Sequence, residues 1–476
     1  MYDPLRSLAD IISSAVSDLE SQYSQNNLNH PSLDDPYYPN PMDNSVEVAN
    51  AKRLIVAAAA QLIAAVTTPT DLLKQYSTAM FTTTTLGVAV DTKIADFLGV
   101  AGPKASSSAI IIRRWDKLFY SQGLHVDKLA ENTGLDSLHL GRILRFLATR
   151  HIFREVSPNT FANNRHSSIL RTTKPSVQGP RNEKPGDHTS FSSFVSFFAD
   201  ESMKAACHLS DFIQNPQNHV SPFALAFPPY QTTWEWFKQP GNEWRAARFA
   251  SVMKDMGDSV PAEVLLDAAN WQSMEPDTII VDVGGGVGSA ALLLYERWPH
   301  LRYVVQDLEI QISAGAKFWE HNAPQGLQSG RVQLQVHDFF TPQPVQGAGV
   351  YLLRLVTHNW QDDQVKDILR HLRSAASPSS RVIVMNNLAT HTCEVPSSFP
   401  KAPYPLLANF GVASAGWDTA LDMEMLTYFN TRDRTIHEFT ELGRAAGWKL
   451  EEVKPGMLAT LVFTPIPPEP VPVCHS

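Results

Sequence analysis

The stretch that decides the fold runs from Ile279 to Asp307 and reads IIVDVGGGVGSAALLLYERWPHLRYVVQD. An apolar strand leads into four glycines within five positions, an apolar helical run follows, and a second short strand ends in an acid. Glycines let the backbone approach a ligand, a helix N-terminus favours negative charge, and the acid can bind ribose hydroxyls. This order predicts a nucleotide-cofactor site. The alternative is a buried turn without a ligand, in which four glycines would be entropically unfavourable.

The residues around the glycines indicate which cofactor binds. An NAD site requires the pattern G-x-G-x-x-G/A, which Gly284, Gly286 and Ser289 fit poorly. Asp282, two residues before the first glycine, would lie unfavourably close to a pyrophosphate. A cofactor with a sulfonium and an ammonium group tolerates that acid, and S-adenosylmethionine carries both. Asp307 follows Asp282 by 25 residues, close to the spacing expected of a ribose-binding acid.

From Thr278 onward, short apolar strands alternate with helical segments. This alternation predicts an α/β fold with a Rossmann-like, doubly wound parallel sheet and an added antiparallel edge. The predicted strands are residues 278–283, 301–306, 332–336, 349–355, 381–386, 448–453 and 458–463. The glycine turn, Asp307, Asp338 and His358 each follow a strand end. We therefore expect them to meet in one crevice at the carboxyl edge of the sheet.

The first half of the chain is predicted to be mainly helical. Helical apolar spacing covers residues 5–23, 46–75, 81–97, 191–237 and 243–256. Residues 124–162 predict two short helices and two short strands, a pattern typical of a winged helix-turn-helix. Such a module either binds DNA or serves as a structural or dimerisation module. The second reading is favoured because the candidate recognition helix has only three clear cations, Arg142, Arg145 and Arg150.

These patterns predict three regions. They are an N-terminal helix and linker (residues 1–45), a winged-helix-like dimerisation and substrate-pocket domain (46–235), and a cofactor-binding domain (236–476). Two insertions interrupt them, at residues 171–189 and 390–416, and the second is long enough for a lid.

Composition excludes several classes of protein. A net charge of −9 argues against broad binding to nucleic acid or to an anionic membrane. No uninterrupted run of about 18 apolar residues occurs, so no transmembrane helix is expected. The three cysteines have neither disulfide-framework nor zinc spacing, which predicts a reducing, cytoplasmic compartment.

A second informative stretch, LRLVTHNW, runs from Leu353 to Trp360. His358 follows a buried strand on the cofactor side of the predicted sheet, where a general base is well placed to act. The alternative is a capping or core histidine, and this stretch alone does not distinguish the two.

Taken together, these motifs resemble the class I S-adenosylmethionine-dependent O-methyltransferases of the plant caffeate/flavonoid and fungal secondary-metabolite type. The resemblance covers roughly Val46 to Phe463. Its motifs, in family order, are the winged-helix region, Asp282–Gly288, Gln306–Leu308, His337–Phe340, His358–Trp360 and Asp433–Thr435. It implies a homodimer that moves a methyl group to a hydroxyl of a small aromatic acceptor, without a metal.

The resemblance also implies roles for individual residues. His358 would be the general base, and Asp433 and Asn386 would flank it. The cofactor residues would be Asp282, Gly284, Gly286, Gly288, Asp307, Leu308, Asp338, Phe339 and Arg354. Arg354 stands where the family commonly has lysine. The acceptor residues would be Phe249, Met253, Met256, Asn359 and Trp360, although a methionine and aromatic stripe is usually just core.

Two departures from the family pattern bear on the chemistry. Asn359 stands where an acid usually follows the base, and Asn386 stands where a second acid usually flanks it. A base with one charged partner predicts slower proton transfer from weakly acidic hydroxyls. Two other functions remain open. One is a methyltransferase-like pericyclase that uses the sulfonium as an electrostatic catalyst, and the other is a DNA-binding regulator with a vestigial cofactor domain.

Overall fold

The structure is a computed structural model that describes residues 3–100, 123–171, 190–216, 220–230, 232–395 and 401–467. Packing divides the chain into two units. The first runs to Gly257 and also takes in residues 392–394 and 401–416. The second begins at Asp258 and contains the rest of the described chain. The predicted boundary after residue 235 thus lies inside the first unit. Nearly all of the predicted 171–189 insertion lies outside the described residues.

The first unit is mainly helical. Its helices are α1 (Pro4–Gln25), α2 (Val46–Val66), α3 (Pro69–Ser77), α4 (Met80–Asp91), α5 (Ile94–Val100), α6 (Val126–Thr133), α7 (Ser137–Ala148), α8 (Ser190–Phe197), α9 (Met203–Ala206), α10 (Leu209–Gln214), α11 (Pro222–Ala226), α12 (Thr233–Phe237) and α13 (Glu243–Ser259). Its strands are β1 (Leu124–His125), β2 (Arg154–Ser157) and β3 (Thr160–Ala162). Shorter helical turns cover Pro41–Asn44, Ser167–Leu170 and Phe198–Ser202.

Helices α1 and α2 pack against each other and order the segment between them. Tyr23 at the end of α1 and Met42 in the predicted linker are buried in one cluster with Val48 and Ala51 of α2. The Ser45 hydroxyl accepts a hydrogen bond from Val48 N and begins α2. Among the described residues, α2 is the one helix whose length and composition would suffice to cross a membrane, a test that core helices of soluble proteins also pass.

The region predicted to resemble a winged helix has the expected order of elements. Asp136 caps α7 through a hydrogen bond from His139 N, and Gly134 ends α6 in the left-handed region. Leu140, Leu144 and Leu147 of α7 are buried in one core cluster with Phe161 of β3. The strands form an antiparallel sheet in the order β1-β3-β2. The dimerisation role of this module stays a prediction.

Residues 401–416, part of the predicted 390–416 insertion, dock on α2 within the first unit. Gln61, the one polar residue in the apolar run Ile55–Val66, donates from Nε2 to Pro405 O at 2.6 Å. Its Oε1 accepts from Leu407 N at 3.2 Å, and the Arg53 guanidinium lies over the Phe410 ring at 4.2 Å. These two hydrogen bonds to the backbone of residues 405 and 407 explain why a glutamine stands within an otherwise apolar run.

The second unit contains a seven-stranded sheet in the order β6-β5-β4-β7-β8-β10-β9. The strands are β4 (Ile279–Val283), β5 (Arg302–Asp307), β6 (Val332–Val336), β7 (Val350–Arg354), β8 (Arg381–Asn386), β9 (Trp448–Lys454) and β10 (Ala459–Pro465). Strands β4 to β8 pair in parallel, whereas β10 is antiparallel to both β8 and β9. This confirms the predicted parallel sheet with an antiparallel edge.

The sheet is covered by helices and buried on both faces. The helices are α14 (Ala262–Leu266), α15 (Ser289–Arg297), α16 (Glu309–Asn322), α17 (Pro324–Gln328), α18 (Asp362–Ala375), α19 (Ala415–Phe429) and α20 (Ile436–Ala445), with short turns at Trp271–Ser273 and Thr357–Asn359. A further turn, Gly411–Ala413, belongs to the first unit. Successive residues of one strand enter opposite clusters, as Tyr351 and Leu352 of β7 do. Because both faces of the central strands are buried, β4, β7 and β8 read as nearly continuous apolar runs.

Candidate active site

The glycine turn between β4 and α15 has a backbone that only glycine adopts readily. Gly284, Gly286 and Gly288 have φ values of 69°, 60° and 87°. The amides of Gly284 and Gly285 both donate to Gln306 O of β5, at 2.9 and 3.0 Å. The turn is therefore fixed to the carboxyl end of the neighbouring strand.

Asp307, the predicted ribose acid, ends β5 beside this turn. Its Oδ2 accepts from Gly286 N at 2.8 Å, and its Oδ1 accepts from Leu308 N at 2.7 Å. Burial raises the pKa of Asp307, while the two backbone donors oppose the shift. Each carboxylate oxygen can accept a further hydrogen bond, so both are suited to ribose hydroxyls. Leu308 is exposed and precedes the first turn of α16.

Asp282 lies under the glycine turn and is 2% exposed. A Cβ on Gly285 would lie 2.5 Å from Asp282 Cγ, so the turn crosses directly over the carboxyl group. Its Oδ2 is buried and has no hydrogen-bond partner among the described residues. Burial raises the pKa of Asp282 to about 6, although the positive charge of Arg354 opposes the shift. A buried, incompletely paired carboxyl group suits a cationic ligand.

The loop after β6 carries the predicted adenine residues. Asp338 is exposed and accepts from Phe340 N at 3.0 Å. A Cβ on Gly284 would lie 3.3 Å from the Phe339 ring, so this ring borders the glycine turn. Trp360 packs edge-on against Phe339 and Phe340, with centroids 5.6 and 4.8 Å apart. Trp360 was predicted to contact the acceptor, but its ring packs against the loop that carries the predicted adenine residues.

Gln343 and Trp319 secure this cofactor region, and the sequence motifs point to neither of them. Gln343 and Gln306, both buried, exchange amide hydrogen bonds at 2.7 and 2.9 Å, which ties the Asp338 loop to β5. Trp319 of α16 donates from Nε1 to Val287 O at 3.1 Å and so holds the glycine turn from behind. Neither residue stands in a motif, and nothing in the sequence indicates its partner.

Replacing Gly288 by alanine is expected to lower the free energy of unfolding by about 3 kcal/mol. The left-handed backbone costs a non-glycine residue ~1–2 kcal/mol, and the new Cβ would lie 2.6 Å from Trp319 Nε1 and 2.9 Å from Val305 Cγ2. Urea unfolding measures the loss. Gly330→Ala is the matched control, because its φ is 70° but nothing lies within 4 Å of the added Cβ. Equal losses in the two variants would contradict the crowding argument.

His358 lies in a short 3-10 turn, Thr357–Asn359, just beyond the end of β7. Its side chain is buried, and Nδ1 is 3.4 Å from Asp433 Oδ1. Asn386, at the end of β8, donates from Nδ2 to the same Oδ1 at 3.2 Å. Asn386 therefore contacts the acid that faces the histidine. Asn359 donates from Nδ2 to Leu355 O at 3.4 Å, which closes the same turn.

Two further carboxyl groups from α19 lie near Asp433. Asp422 Oδ1 accepts from Asp433 N at 2.6 Å, and burial raises the pKa of Asp422. Asp418 stands one helical turn earlier, and burial together with the charge of Asp433 raises its pKa to about 6. Asp418 and Asp422 stand outside the sequence motifs, so neither was predicted at this site.

The predicted acceptor residues Phe249, Met253 and Met256 lie on α13 in the first unit. The Phe249 ring contacts the rings of Phe237, Phe197 and Trp234, with centroids 5.2, 5.6 and 5.8 Å apart. Met253 is exposed and Met256 is half-buried. One helical face thus combines an aromatic cluster with an accessible methionine.

Comparisons with known proteins agree with this arrangement. The model of the O-methyltransferase domain family matches residues 207–449. An O-methyltransferase of Armillaria gallica is 33% identical over 95% of this chain and 96% of its own.

Solved structures share the fold at lower identity. A pericyclic reaction enzyme is 20% identical and covers 95% of this chain and 99% of its own, with a TM-score of 0.63. NcsB1, an O-methyltransferase solved with S-adenosylmethionine and 2-hydroxy-5-methyl naphthoic acid, is 22% identical over 81% of this chain and 96% of its own, with a TM-score of 0.58. From the family match and the fungal relative, the chain belongs to the S-adenosylmethionine-dependent O-methyltransferases.

Proposed function

We propose that this enzyme methylates a hydroxyl of a small aromatic acceptor, with His358 as the general base. The observation that carries the proposal is the buried pair of His358 and Asp433, 3.4 Å apart. It lies beyond the end of β7, and β7 is the direct neighbour of β4, which carries the glycine turn. Because the proposed base and the glycine turn follow adjacent strands, they are well placed for transfer of a methyl group between a bound cofactor and a bound acceptor.

The cofactor would be held by residues of the second unit alone. Gly284, Gly286 and Gly288 would shape the turn that wraps its methionine and ribose portion, Asp307 would accept the ribose hydroxyls, and Asp282 would face its positive charge. The remaining proposed contacts come from Leu308, Asp338, Phe339 and Arg354. The buried Asp282 Oδ2 without a partner supports this fit. When bound, S-adenosylmethionine supplies an electrophilic methyl group on a sulfonium sulfur.

His358 would move one proton in the reaction. Nδ1 lies 3.4 Å from Asp433 Oδ1, so Nε2 is the nitrogen that would take the proton of the acceptor hydroxyl. The oxygen then forms its bond to the methyl carbon as the carbon–sulfur bond breaks, and the electron pair stays on sulfur. Asp433 would stabilise the imidazolium, and Asn386 would hold Asp433 through its 3.2 Å hydrogen bond. No residue of the chain needs to be alkylated.

An aromatic acceptor is supported by α13 and by a neighbour. Phe249 and the exposed Trp234 offer ring surface on which a planar acceptor can stack, and the buried rings of Phe197 and Phe237 support Phe249 from within. NcsB1, of the same fold, has been solved with a naphthoic acid. We assign Met253 and Met256 to the same acceptor surface and Asn359 to the side of the base. Trp360, which packs against Phe339 and Phe340, is assigned to the border between the base and the cofactor loop.

The second candidate is a pericyclase that uses the bound sulfonium as an electrostatic catalyst. The specific observation in its favour is the pair of amides, Asn359 and Asn386, at positions where the resemblance leads us to expect acids. Against it stands the retained pair of His358 and Asp433, for which a rearrangement without proton transfer has no use.

The function is tested by incubating the protein with methyl-labelled S-adenosylmethionine and a panel of phenols, catechols and flavonoids. We expect at least one acceptor to carry the labelled methyl group as a methyl ether on a phenolic oxygen, located by NMR of the product. An acceptor that is rearranged without taking label would overturn methyl transfer in favour of the pericyclase.

We also propose a homodimer formed through α2, α3 and α4. These helices expose a set of large apolar side chains, namely Val56, Ile63, Val66, Leu73, Tyr76, Met80 and Phe81. Exposed apolar patches of this kind mark protein interfaces. Sedimentation equilibrium should give a dimer for the wild type and for Met457→Glu, a control elsewhere on the surface, but a monomer for Ile63→Glu. A monomeric wild type would contradict the proposal.

A further inference from the structure

Arg434 is the most completely buried cation described in the second unit, with 1% of its surface exposed. Its guanidinium makes three hydrogen bonds. Nη1 donates to Thr357 O at 2.7 Å, Nη2 donates to Trp360 O at 2.6 Å, and Nε donates to Asp362 Oδ1 at 2.8 Å. Two of these three acceptors are backbone carbonyls, so the contacts fix the main chain.

Those two carbonyls lie on either side of His358. Thr357 begins the 3-10 turn that carries the histidine, and Trp360 directly follows it. The one backbone hydrogen bond recorded between these two residues, from Trp360 N to Thr357 O, is long at 3.4 Å and holds the ends of the turn weakly. The planar guanidinium, with donors in a fixed arrangement, spans the turn and sets the distance between its ends.

Arg434 is itself fixed by backbone contacts. Its carbonyl accepts from Ala389 N at 3.1 Å, and its main chain forms a parallel bridge with Leu388, just beyond the end of β8. The residue before it is Asp433, whose carboxylate lies 3.4 Å from His358 Nδ1. Two consecutive residues therefore support His358. Asp433 lies beside its imidazole, and Arg434 holds the backbone of the turn that carries it.

We propose that Arg434 is a positioning residue for the general base. The proposal rests on the role assigned to His358 above. Arg434 touches neither the imidazole nor the glycine turn in any hydrogen bond of the described residues. It acts by keeping the His358 turn in register with Asp433, so that Nδ1 stays close to the carboxylate, 3.4 Å from Oδ1. A shift of about 1 Å in such a group lowers rates by ~10²-fold.

The test uses Arg434→Ala and Arg434→Lys in the full chain, with Arg432→Ala as the matched control. Arg432 is an exposed neighbour that shares Asp362 but contacts neither carbonyl in the described hydrogen bonds. Arg434→Ala is expected to lower kcat by about 10²-fold, with KM for the acceptor and Kd for S-adenosylmethionine within about twofold. Guanidinium ion at millimolar concentration should restore kcat at least ~10-fold, because it can re-form the three hydrogen bonds, whereas urea should not. Arg432→Ala should retain kcat within about twofold.

A merely structural role gives a different result. It predicts that Arg434→Ala weakens cofactor binding and lowers kcat together, with no response to guanidinium, and this outcome would overturn the proposal. Should Arg434→Ala fail to fold, Arg434→Lys carries the test, since its single ammonium cannot span both carbonyls and kcat should fall without loss of cofactor affinity. His358→Ala is assayed in parallel. Full activity of His358→Ala would refute the proposed base, whereas an inactive His358→Ala beside fully active Arg434 variants would refute only the role of Arg434.

Discussion

Replacing His358 by alanine is expected to lower kcat for methyl transfer by about 10²–10⁴-fold, the usual contribution of a positioned base. The reason is that the acceptor hydroxyl would keep its proton while it attacks the methyl carbon. The Kd for S-adenosylmethionine should stay within about twofold, because the proposed cofactor contacts do not include His358. Steady-state kinetics and calorimetry measure the two quantities separately.

The size of the loss should depend on the acceptor. An acidic phenol ionises without help, so its rate should fall less in His358→Ala than the rate of a weakly acidic phenol. His437→Ala, which removes an exposed histidine of the same unit, is the control and should retain wild-type kcat. An equal loss for all acceptors would show that His358 acts through structure and not as a base.

Replacing Asp282 by asparagine is expected to weaken S-adenosylmethionine binding at pH 7 by about 10–100-fold, because a charge-assisted contact to a cationic ligand is lost. The wild type should also bind more weakly as pH falls. Burial raises the pKa of Asp282 to about 6 in the free protein, so the carboxyl group is mostly neutral at pH 5 and mostly ionised at pH 7. Linkage then predicts Kd about tenfold higher at pH 5 than at pH 7.

The Asp282→Asn variant should lose this pH dependence, and calorimetry at both pH values measures it. If the variant keeps the same pH dependence of binding, that dependence belongs to another group.

The Asp282→Asn variant should also be more stable than the wild type at pH 7 without cofactor. A carboxyl group with a raised pKa stabilises the fold below its unfolded pKa, and that contribution is lost as pH rises through about 6. Thermal unfolding would show binding and stability changing in opposite directions.

Patterns along the chain predicted the sheet better than the helices around it. Strands 332–336 and 381–386 were predicted with their observed bounds, because the first alternates apolar with polar residues and the second is a short apolar run. The helical pattern near residues 422–427 indicates only the second half of the helix Ala415–Phe429. Its first turns carry Gly416, Asp418 and Thr419, which interrupt the apolar period. The pattern therefore gives no reason to expect Asp418 near Asp433.

The side chains with backbone partners could not be predicted from the sequence. Arg434 stands in the recognised Asp433–Thr435 motif, but its acceptors are carbonyls more than 70 residues away, and any residue type supplies a carbonyl. The same holds for Gln61, whose partners are Pro405 O and Leu407 N. Motifs report side chains that meet ligands, whereas these contacts depend on the fold that the whole chain adopts.

In the proposed reaction the methyl group leaves the cofactor and arrives on an acceptor oxygen. Mass spectrometry of cofactor and acceptor from one reaction follows both changes together. We expect one S-adenosylhomocysteine for each methylated acceptor in the wild type, with both reduced together in His358→Ala. Conversion of the acceptor while S-adenosylmethionine remains intact would contradict it.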